Sequence, residues 1–389
     1  MEPRELASRM YRACFLLLTP SLACRPAGRE ERRVGKSVVL EDIGELATTS
    51  APFACPEEVN TGVTGSWLGE ASSRLFSDLY RVTRKEGGGN FLVSPHSIFT
   101  GLSMVLLGAR GATAHAYSTL LHLDQLHGGQ KQEKVHNGAR RVLGLLTNLT
   151  RQSEGRLTVT SANHLFLDES QSVRREYRAS LQCFYHTNVT TLGLQKSPAK
   201  SAATINSWIE DKTKGKIKQL VNSDSLHNAD LVLVNTVYFQ ASWLVPFKKS
   251  TSKGEFLQES GSTVEVDMMV MEGWVAMGSL GPAQVVRLPY RTCSTCSTSD
   301  MAMFLFVPKD NSTLAEVEQA VLEEGVLSGA GIPLQREAVR LLMPKFEVRQ
   351  KTDLTGALQQ LGLPLQGDLG GLSGEGPQLG QVLHEAVLR

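Results

Sequence analysis

The chain has 389 residues, of which 41% are hydrophobic and 20% are charged, and its formal net charge is +1 at pH 7. This is the composition of an ordinary globular protein, long enough to bury a large core without disulfides or a structural metal. The small net charge excludes an overall field that would attract nucleic acid, so a polyanion could bind only at a local patch.

The first residues have the order of a secretory signal peptide. Arginines precede an apolar run from Cys14 to Leu18, and small residues follow up to Cys24. A basic end, an apolar middle and a small-residue exit are what such signals share. We therefore expect residues 1–24 to be a signal peptide, with a disordered tail as the alternative, and the polar residues 25–64 to form a flexible tail. No apolar run reaches the roughly 18 residues of a membrane-spanning helix.

Three N-x-S/T triplets support export, because this triplet is the acceptor for N-glycosylation. The acceptor residues are Asn148, Asn188 and Asn311. We expect a secreted, extracellular glycoprotein. Removal of the signal leaves four cysteines, which allow three full pairings that the sequence does not distinguish; they are Cys55, Cys183, Cys293 and Cys296.

Three helices are predicted from periodicity and capping. Apolar residues follow one helical stripe over Trp67–Tyr80. Ser94-Pro95 opens a second helix, which runs to Gly108, because serine caps the free amides and proline suits the first turn. Isoleucine and valine at helical spacing predict an amphipathic helix from Ser201 to Val221.

Strands are predicted between and after these helices. Leu157–Leu167 is one, with a polar interruption at Asn163-His164. Leu231–Phe239 is a nearly unbroken β-forming run, as expected of a central strand covered on both faces. A mixture of helices and strands without strict alternation predicts an α+β fold with at least one large sheet. The further strand candidates are Val285–Leu288, Met301–Val307 and Val339–Val348.

A series of motifs in this order resembles the serpin family. The resemblance extends from about Trp67 to Leu388, and the segment Leu231–Phe239 with Trp243 and Phe247 is its most specific part. The spacing and Gln182-Cys183 resemble the plasminogen-activator-inhibitor and nexin branch of that family. The other motifs are Asn90–Ser97, Met104–Thr113, Ile205–Ile217, Leu288–Tyr290, Met343–Phe346 and Leu383–Val387.

The resemblance implies one α+β domain, residues 65–389, with a large central mixed sheet, three sheets in all and eight or nine helices. It also implies a secreted inhibitor whose partner is a serine protease. In that family an exposed loop offers itself as a substrate. After cleavage and acylation the loop inserts as a new strand into the main sheet and carries the protease with it.

The resemblance also explains four polar residues in apolar segments. The family places Ser94, Ser97, Asn235 and His384 beneath the point where the main sheet opens. An unpaired amide at Asn235 in a buried strand would cost roughly 1–3 kcal/mol, so this residue needs partners. A hydrogen-bonded cluster can favour one arrangement of a two-state element. The alternative from the residues alone is that Ser94 only caps a helix and His384 is a satisfied core histidine.

The chain departs from the family pattern near its C-terminus. It ends at Val387-Leu388-Arg389, without the family's acidic hinge, small-residue run, scissile bond and last core strands. We therefore expect a C-terminally truncated serpin that lacks the reactive loop and forms no covalent complex with a trypsin-like protease. The stretch Leu361–Leu379 is also richer in glycine than the family pattern, which predicts a loose segment.

Enzyme and metal chemistry find little support. Ser373 lies in a stretch that lacks the last glycine of the G-x-S-x-G nucleophile elbow, so no catalytic residue is assigned and we expect no enzyme. Cys293 and Cys296 form a lone C-x-x-C pair without the second pair of a zinc site. This predicts a hairpin-loop insertion, with no metal and no other cofactor.

Several family members bind heparin on their fourth helix, and the corresponding segment here is basic. A heparin-like glycosaminoglycan is therefore a candidate ligand, with a solvated charged face as the alternative. Two functional classes stay open, a secreted serine-protease inhibitor and a non-inhibitory serpin-like carrier or interaction protein. The basic residues are Lys131, Lys134, Arg140 and Arg141.

Overall fold

The computed structural model describes residues 4–6, 65–86, 90–126, 131–258, 260–293, 301–323 and 332–389. The predicted signal segment, except for the backbone of Arg4–Leu6, and the predicted tail lie outside the described residues, and both stay predictions. No helix among the described residues is long and apolar enough to cross a membrane.

The described part of the chain contains eight α-helices, within the predicted range. The second helix starts after Ser94 and ends at Gly108, as predicted, and is buried on almost all sides. In chain order the helices are α1 (Gly65–Glu86), α2 (Pro95–Gly108), α3 (Gly111–Leu120), α4 (Lys131–Gln152), α5 (Arg175–Tyr185), α6 (Pro198–Lys212), α7 (Leu314–Glu323) and α8 (Thr355–Gln360).

The helix predicted from Ser201 to Val221 ends earlier, at Lys212. Gly215 has a φ angle of 74°, in the left-handed region that ends an α-helix. The Thr213 hydroxyl accepts a hydrogen bond from the Ile217 amide at 3.0 Å and fixes this turn. Ile217 is still buried in one cluster with the apolar side of α6. The apolar stripe therefore belongs to a helix and to the loop that folds back on it.

A five-stranded mixed sheet contains the predicted central strand. Its order is β10–β11–β4–β2–β3. β4 runs parallel to β11 and antiparallel to β2, and its residues Leu231 to Phe239 are all buried, as the unbroken apolar run predicted. The strands are β2 (Leu157–Asp168), β3 (Val189–Leu192), β4 (Leu231–Ala241), β10 (Val348–Asp353) and β11 (Leu379–Leu388).

The other described strands form one six-stranded sheet, of order β1–β9–β6–β7–β8 with β5 also paired to β6. β6 is 18 residues long and pairs first with β5 and later with β7, which joins them in one ladder. The described strands therefore form two sheets rather than the three that the resemblance implies. They are β1 (Arg4–Leu6), β5 (Ser252–Leu257), β6 (Thr263–Leu280), β7 (Ala283–Pro289), β8 (Ala302–Pro308) and β9 (Gln335–Pro344).

The strand predicted from Val339 to Val348 is two strands, β9 and β10. Pro344 cannot donate a ladder hydrogen bond, and β9 ends there. Cys293 lies in the connection between the paired strands β7 and β8, so its position agrees with the predicted hairpin insertion.

Three apolar clusters hold the elements together. The largest cluster lies between the first five helices, α1 through α5, and one face of the five-stranded sheet. The second lies between the two sheets, and the third lies between the five-stranded sheet and α6. The five-stranded sheet is therefore covered on both faces, and the predicted α+β class is confirmed.

The glycine-rich segment Leu361–Leu379 is packed, where its composition predicted a loose segment. Leu372 is fully buried, and the Gly371 amide donates to the Gly108 carbonyl at 2.9 Å. A Cβ atom at Gly108 would lie 2.7 Å from the Cβ of Leu372. Glycine here allows the end of α2 and this segment to approach closely, and the buried leucines hold the contact.

Candidate functional site

Three polar residues form a row across the middle of the five-stranded sheet. In the pairing of β4 with β11, Asn235 lies directly opposite His384. In the pairing of β4 with β2, Asn235 lies directly opposite Asn163. Residues directly opposite in register project from the same face of a sheet. This face packs on α2, and the row therefore lies between α2 and the β4–β11 pair.

Hydrogen bonds join this row to α2. The Asn235 amide nitrogen lies 2.7 Å from both the carbonyl oxygen and Oγ of Ser97, and it also contacts Asn163 Oδ1. Asn235 Oδ1 bonds to His384 Nδ1. Asn235 is 1% exposed and His384 is fully buried. Bulk solvent does not reach these groups, and the network supplies their hydrogen-bond partners.

The ring of His384 is held in one neutral tautomer. Its Nε2 accepts a hydrogen bond from the Ser94 amide at 3.1 Å, so the ring proton is on Nδ1 and points at Asn235 Oδ1. Burial lowers the pKa of His384 to about 3, because the charged form would lose its hydration. Protonation would also bring an Nε2 proton against the Ser94 N–H. The cluster therefore requires a neutral histidine.

The first turn of α2 positions the two serines. The Ser94 hydroxyl caps the helix and accepts a hydrogen bond from the Ser97 amide at 3.4 Å. Gly101, one turn later, allows the helix to lie close to the sheet. A Cβ atom there would be 3.3 Å from Leu233 and 3.4 Å from Asn163 Oδ1. This close approach brings Ser97 within reach of Asn235.

The structure thus brings together all four residues predicted to form the polar cluster. Ser94 does both things that the sequence analysis set against each other: its hydroxyl caps α2, and its backbone amide bonds to His384. Sequence reasoning missed two members of the cluster, Asn163 and Ser161. Asn163 contacts Asn235, and the Ser161 hydroxyl lies 2.8 Å from Ser97 Oγ. The polar interruption in the predicted strand β2 was the available signal. A role of the cluster in sheet opening stays a prediction.

The other face of this sheet, under α6, buries different polar groups. His164 lies with its ring centroid 4.6 Å from Trp208, and its two ring nitrogens bond to threonine hydroxyls at 3.0 and 2.8 Å. The Glu385 side chain is 2% exposed and pairs with Arg349 at 2.5 Å. Its second oxygen, Oε2, is buried and has no hydrogen-bond partner among the described residues. Burial raises the pKa of Glu385.

The three predicted glycosylation sites are exposed in the structure. Asn148 lies in α4, Asn188 lies just before β3, and Asn311 lies in the turn before α7. Asn188 Oδ1 accepts a hydrogen bond from Arg178 at 3.1 Å. Glycosylation at these positions stays a prediction.

The predicted heparin residues do not share one stripe of α4. Lys134 and Arg141 lie two turns apart on one side, and Arg140 lies about 100° around the helix from Arg141. The side chain of Lys131 is outside the described residues. Heparin binding stays a prediction. In the described ranges, no group of three or more histidine, cysteine, aspartate or glutamate side chains is placed to hold a metal ion.

Comparison with known proteins gives a consistent result. The family described as "Serpin (serine protease inhibitor)" matches residues 70–389. Human Serpin B3 is 30% identical over 341 residues, which cover 82% of this chain and 85% of that protein. Serine protease inhibitor 42Dd of Drosophila melanogaster is 28% identical over 333 residues, covering 83% and 84%.

Solved structures agree with this assignment. The crystal structure of Manduca sexta serpin-12 has a TM-score of 0.70 and 27% identity to this chain, and the match covers 82% of this chain and 87% of that one. The similarity therefore includes the fold as well as the sequence. The chain belongs to the serpin family.

Proposed function

We propose that the protein functions in the inhibition of a serine-type endopeptidase, and that an additional strand inserts between β4 and β11. The observation that carries this proposal is the parallel β4–β11 pair, which is tied beneath by the contact between Asn235 and His384. These strands lie inside the sheet, with β2 beyond β4 and β10 beyond β11. A strand that enters between them would find partners on both sides.

The cost of opening is concentrated in the polar cluster. Entry of a strand moves β4 and β11 apart by about 5 Å, the spacing of neighbouring strands. The incoming strand replaces the lost backbone hydrogen bonds, but it does not replace the Asn235–His384 contact. The cluster therefore favours the closed sheet until a strand enters.

Strand acceptance by the chain tests this proposal. A synthetic peptide of about 12 small and β-branched residues is long enough to span β11. We expect the peptide to raise Tm, because a ligand that binds only the folded state stabilises it. A matched peptide with proline at alternate positions cannot donate the ladder hydrogen bonds and should have no effect. No rise in Tm at millimolar peptide would favour the alternative, a non-inhibitory carrier or interaction protein.

We also propose that the protein is secreted. The signal-like order of residues 1–24 and the three exposed N-x-S/T asparagines support this. Cys183 and Cys293 are both disulfide-bonded, and disulfides persist mainly in oxidising compartments. Protein recovered from the medium of expressing cells should lose mass on treatment with an N-glycosidase. Retention inside the cells without glycan would contradict secretion.

Two finer proposals rest on sequence alone. One is the plasminogen-activator-inhibitor and nexin branch, a name that none of the relatives described above carries. A target screen tests it, since no reaction with plasminogen activators would speak against the branch. The other is a heparin-like ligand on α4. If Lys134→Ala and Arg141→Ala leave elution from a heparin column unchanged, this ligand site is excluded.

A further inference from the structure

Glu385 of β11 has a carboxylate oxygen that is buried without a hydrogen bond. Its Oε1 pairs with Arg349, and its Oε2 has no hydrogen-bond partner among the described residues. Leu383 and Val387, two positions before and after it, lie in the apolar cluster under α6. Side chains two positions apart in a strand share a face, so Glu385 projects towards the same cluster. A buried acceptor without a donor costs free energy and is rare in native proteins.

The position of Glu385 in the sheet is at the edge of the proposed insertion gap. Its direct partner across the β4–β11 pair is Thr236. The Thr236 hydroxyl bonds elsewhere, to the Ala162 carbonyl at 3.4 Å. On the other side, the direct partner of Glu385 is the exposed Lys351 of β10. A strand that enters between β4 and β11 would replace Thr236 as the neighbour of Glu385, with Cβ atoms about 5 Å apart.

The group that Oε2 lacks is a short, neutral hydrogen-bond donor. An apolar side chain on the entering strand would leave Oε2 unpaired. A lysine there would bury a second cation beside Arg349, which already pairs with this carboxylate, and both hydration loss and repulsion would oppose it. A hydroxyl group donates to an ionised carboxylate and accepts from a protonated one, so it fits Glu385 in either state.

We propose that Glu385 selects the strand that enters the sheet, by requiring serine or threonine at the position between Thr236 and Glu385. The inference rests on the strand insertion proposed above and adds side-chain specificity to it. Backbone hydrogen bonds give a strand affinity for a sheet without regard to its sequence, whereas side-chain contacts give specificity. The closed sheet leaves Oε2 unsatisfied, and a strand with this hydroxyl satisfies it. Such a strand therefore gains a hydrogen bond that the closed sheet does not contain.

The test uses the complete chain and two matched sets of peptides. Each peptide has about 12 residues, long enough to span β11, and consists of alanine and glycine except at one position. In one set a threonine occupies each position in turn; in the other set it is a valine, which has a similar shape without the hydroxyl. The rise in Tm with peptide concentration gives a Kd for each peptide. At one position, threonine should bind about 10-fold more tightly than valine, as expected of one hydrogen bond to a charged group.

Two variants assign this preference to Glu385. Glu385→Met keeps a similar length without oxygen atoms, so it should bind the threonine and valine peptides equally. Thr236→Val removes the hydroxyl on the other side of the gap and is the matched control, in which the preference should persist. A threonine at the adjacent peptide position faces Asn235 and His384 instead, and any preference there should be unchanged in Glu385→Met. The comparison in the wild type does not depend on the folding of either variant.

Equal Kd values for threonine and valine at every position in the wild type would overturn the proposal. A preference that Glu385→Met retains and Thr236→Val abolishes would overturn it too, as would tighter binding of lysine than of threonine at the selected position. If valine and threonine peptides raise Tm equally, strand insertion stands and the selection by Glu385 fails. If no peptide raises Tm at millimolar concentration, both proposals fail.

Discussion

The two faces of the five-stranded sheet bury polar side chains at adjacent positions of β11 and satisfy them differently. On the α2 face, both ring nitrogens of His384 have partners, and Asn235 is bonded on both sides of its amide. On the α6 face, the next residue, Glu385, has one oxygen on Arg349 and the other without a hydrogen-bond partner among the described residues. A satisfied buried network specifies one arrangement, whereas a partly satisfied buried carboxylate costs stability. At these two positions of β11, His384 therefore stabilises the closed sheet and Glu385 weakens it.

His384 and Glu385 also respond to pH in opposite directions. The pKa of His384 is lowered from 6.5 to about 3, so below pH 6.5 the unfolded state binds a proton that the folded state excludes. Stability then falls as the pH falls. The pKa of Glu385 is raised above 4.5, so just above pH 4.5 the folded state keeps a proton that the unfolded state has lost. The protonated form stabilises the folded chain at low pH, and this contribution is lost as the pH rises through the folded pKa.

The largest effect is expected from Asn235→Ala on the α2 face. The substitution leaves His384 Nδ1 and Ser97 Oγ without a main partner, and we expect a loss of about 2–4 kcal/mol in the free energy of unfolding. Urea unfolding followed by circular dichroism measures it. Thr236→Val is the matched control from the α6 face, since its hydroxyl makes one long hydrogen bond, 3.4 Å to Ala162, and its loss should cost under about 0.5 kcal/mol. Equal losses would remove the contrast between the faces.

The sequence predicted β4 and α2, the strand and helix that hold the polar cluster, because the residue patterns that mark them are local. The unbroken run Leu231–Phe239 marked a strand covered on both faces, and Ser94-Pro95 marked the start of α2. The four cluster residues came from the family resemblance, because neither periodicity nor spacing shows that Asn235 and His384 meet. Their contact depends on a parallel register between strands that are far apart in the chain.

The parts that sequence reasoning missed depend on tertiary packing. Ser161 and Asn163 join the cluster only because β2 pairs with β4 in one register. In the sequence, nothing distinguishes Glu385 from a charge on the protein surface. It is buried, at a cost in desolvation, because β11 lies between β10 and β4 in the folded sheet. The merging of two expected sheets likewise depends on the length of β6, which no local motif marked.

A second, smaller effect is expected in the dependence of stability on pH. Four described histidines, His96, His136, His164 and His384, have pKa values lowered by burial to about 4, 3, 4 and 3. Each can lower stability by up to about 1.4 kcal/mol per pH unit as the pH falls below 6.5. His384→Gln should reduce the slope of unfolding free energy against pH between 6 and 4, by about the share of one histidine. An unchanged slope would mean that His384 already carries its proton in the folded state.

The smallest effect is expected on the α6 face, from Glu385→Gln. At pH 7 the substitution removes a charge that burial disfavours, while Arg349, whose side chain is 49% exposed, can be hydrated instead. We expect a gain of about 1 kcal/mol, since the substitution removes the desolvation penalty of the carboxylate and leaves no buried unpaired charge. The gain should shrink as the pH falls through the folded-state pKa and should vanish below 4.5, because the wild-type carboxyl is then neutral in both states. Glu347→Gln, which removes an exposed partner of Arg389, is the matched control and should change the free energy of unfolding little at any pH.

A clear loss of stability in Glu385→Gln at pH 7 would show that the pair with Arg349 outweighs desolvation. Both faces of the sheet would then hold β11 in place, and the closed sheet would have no weaker side.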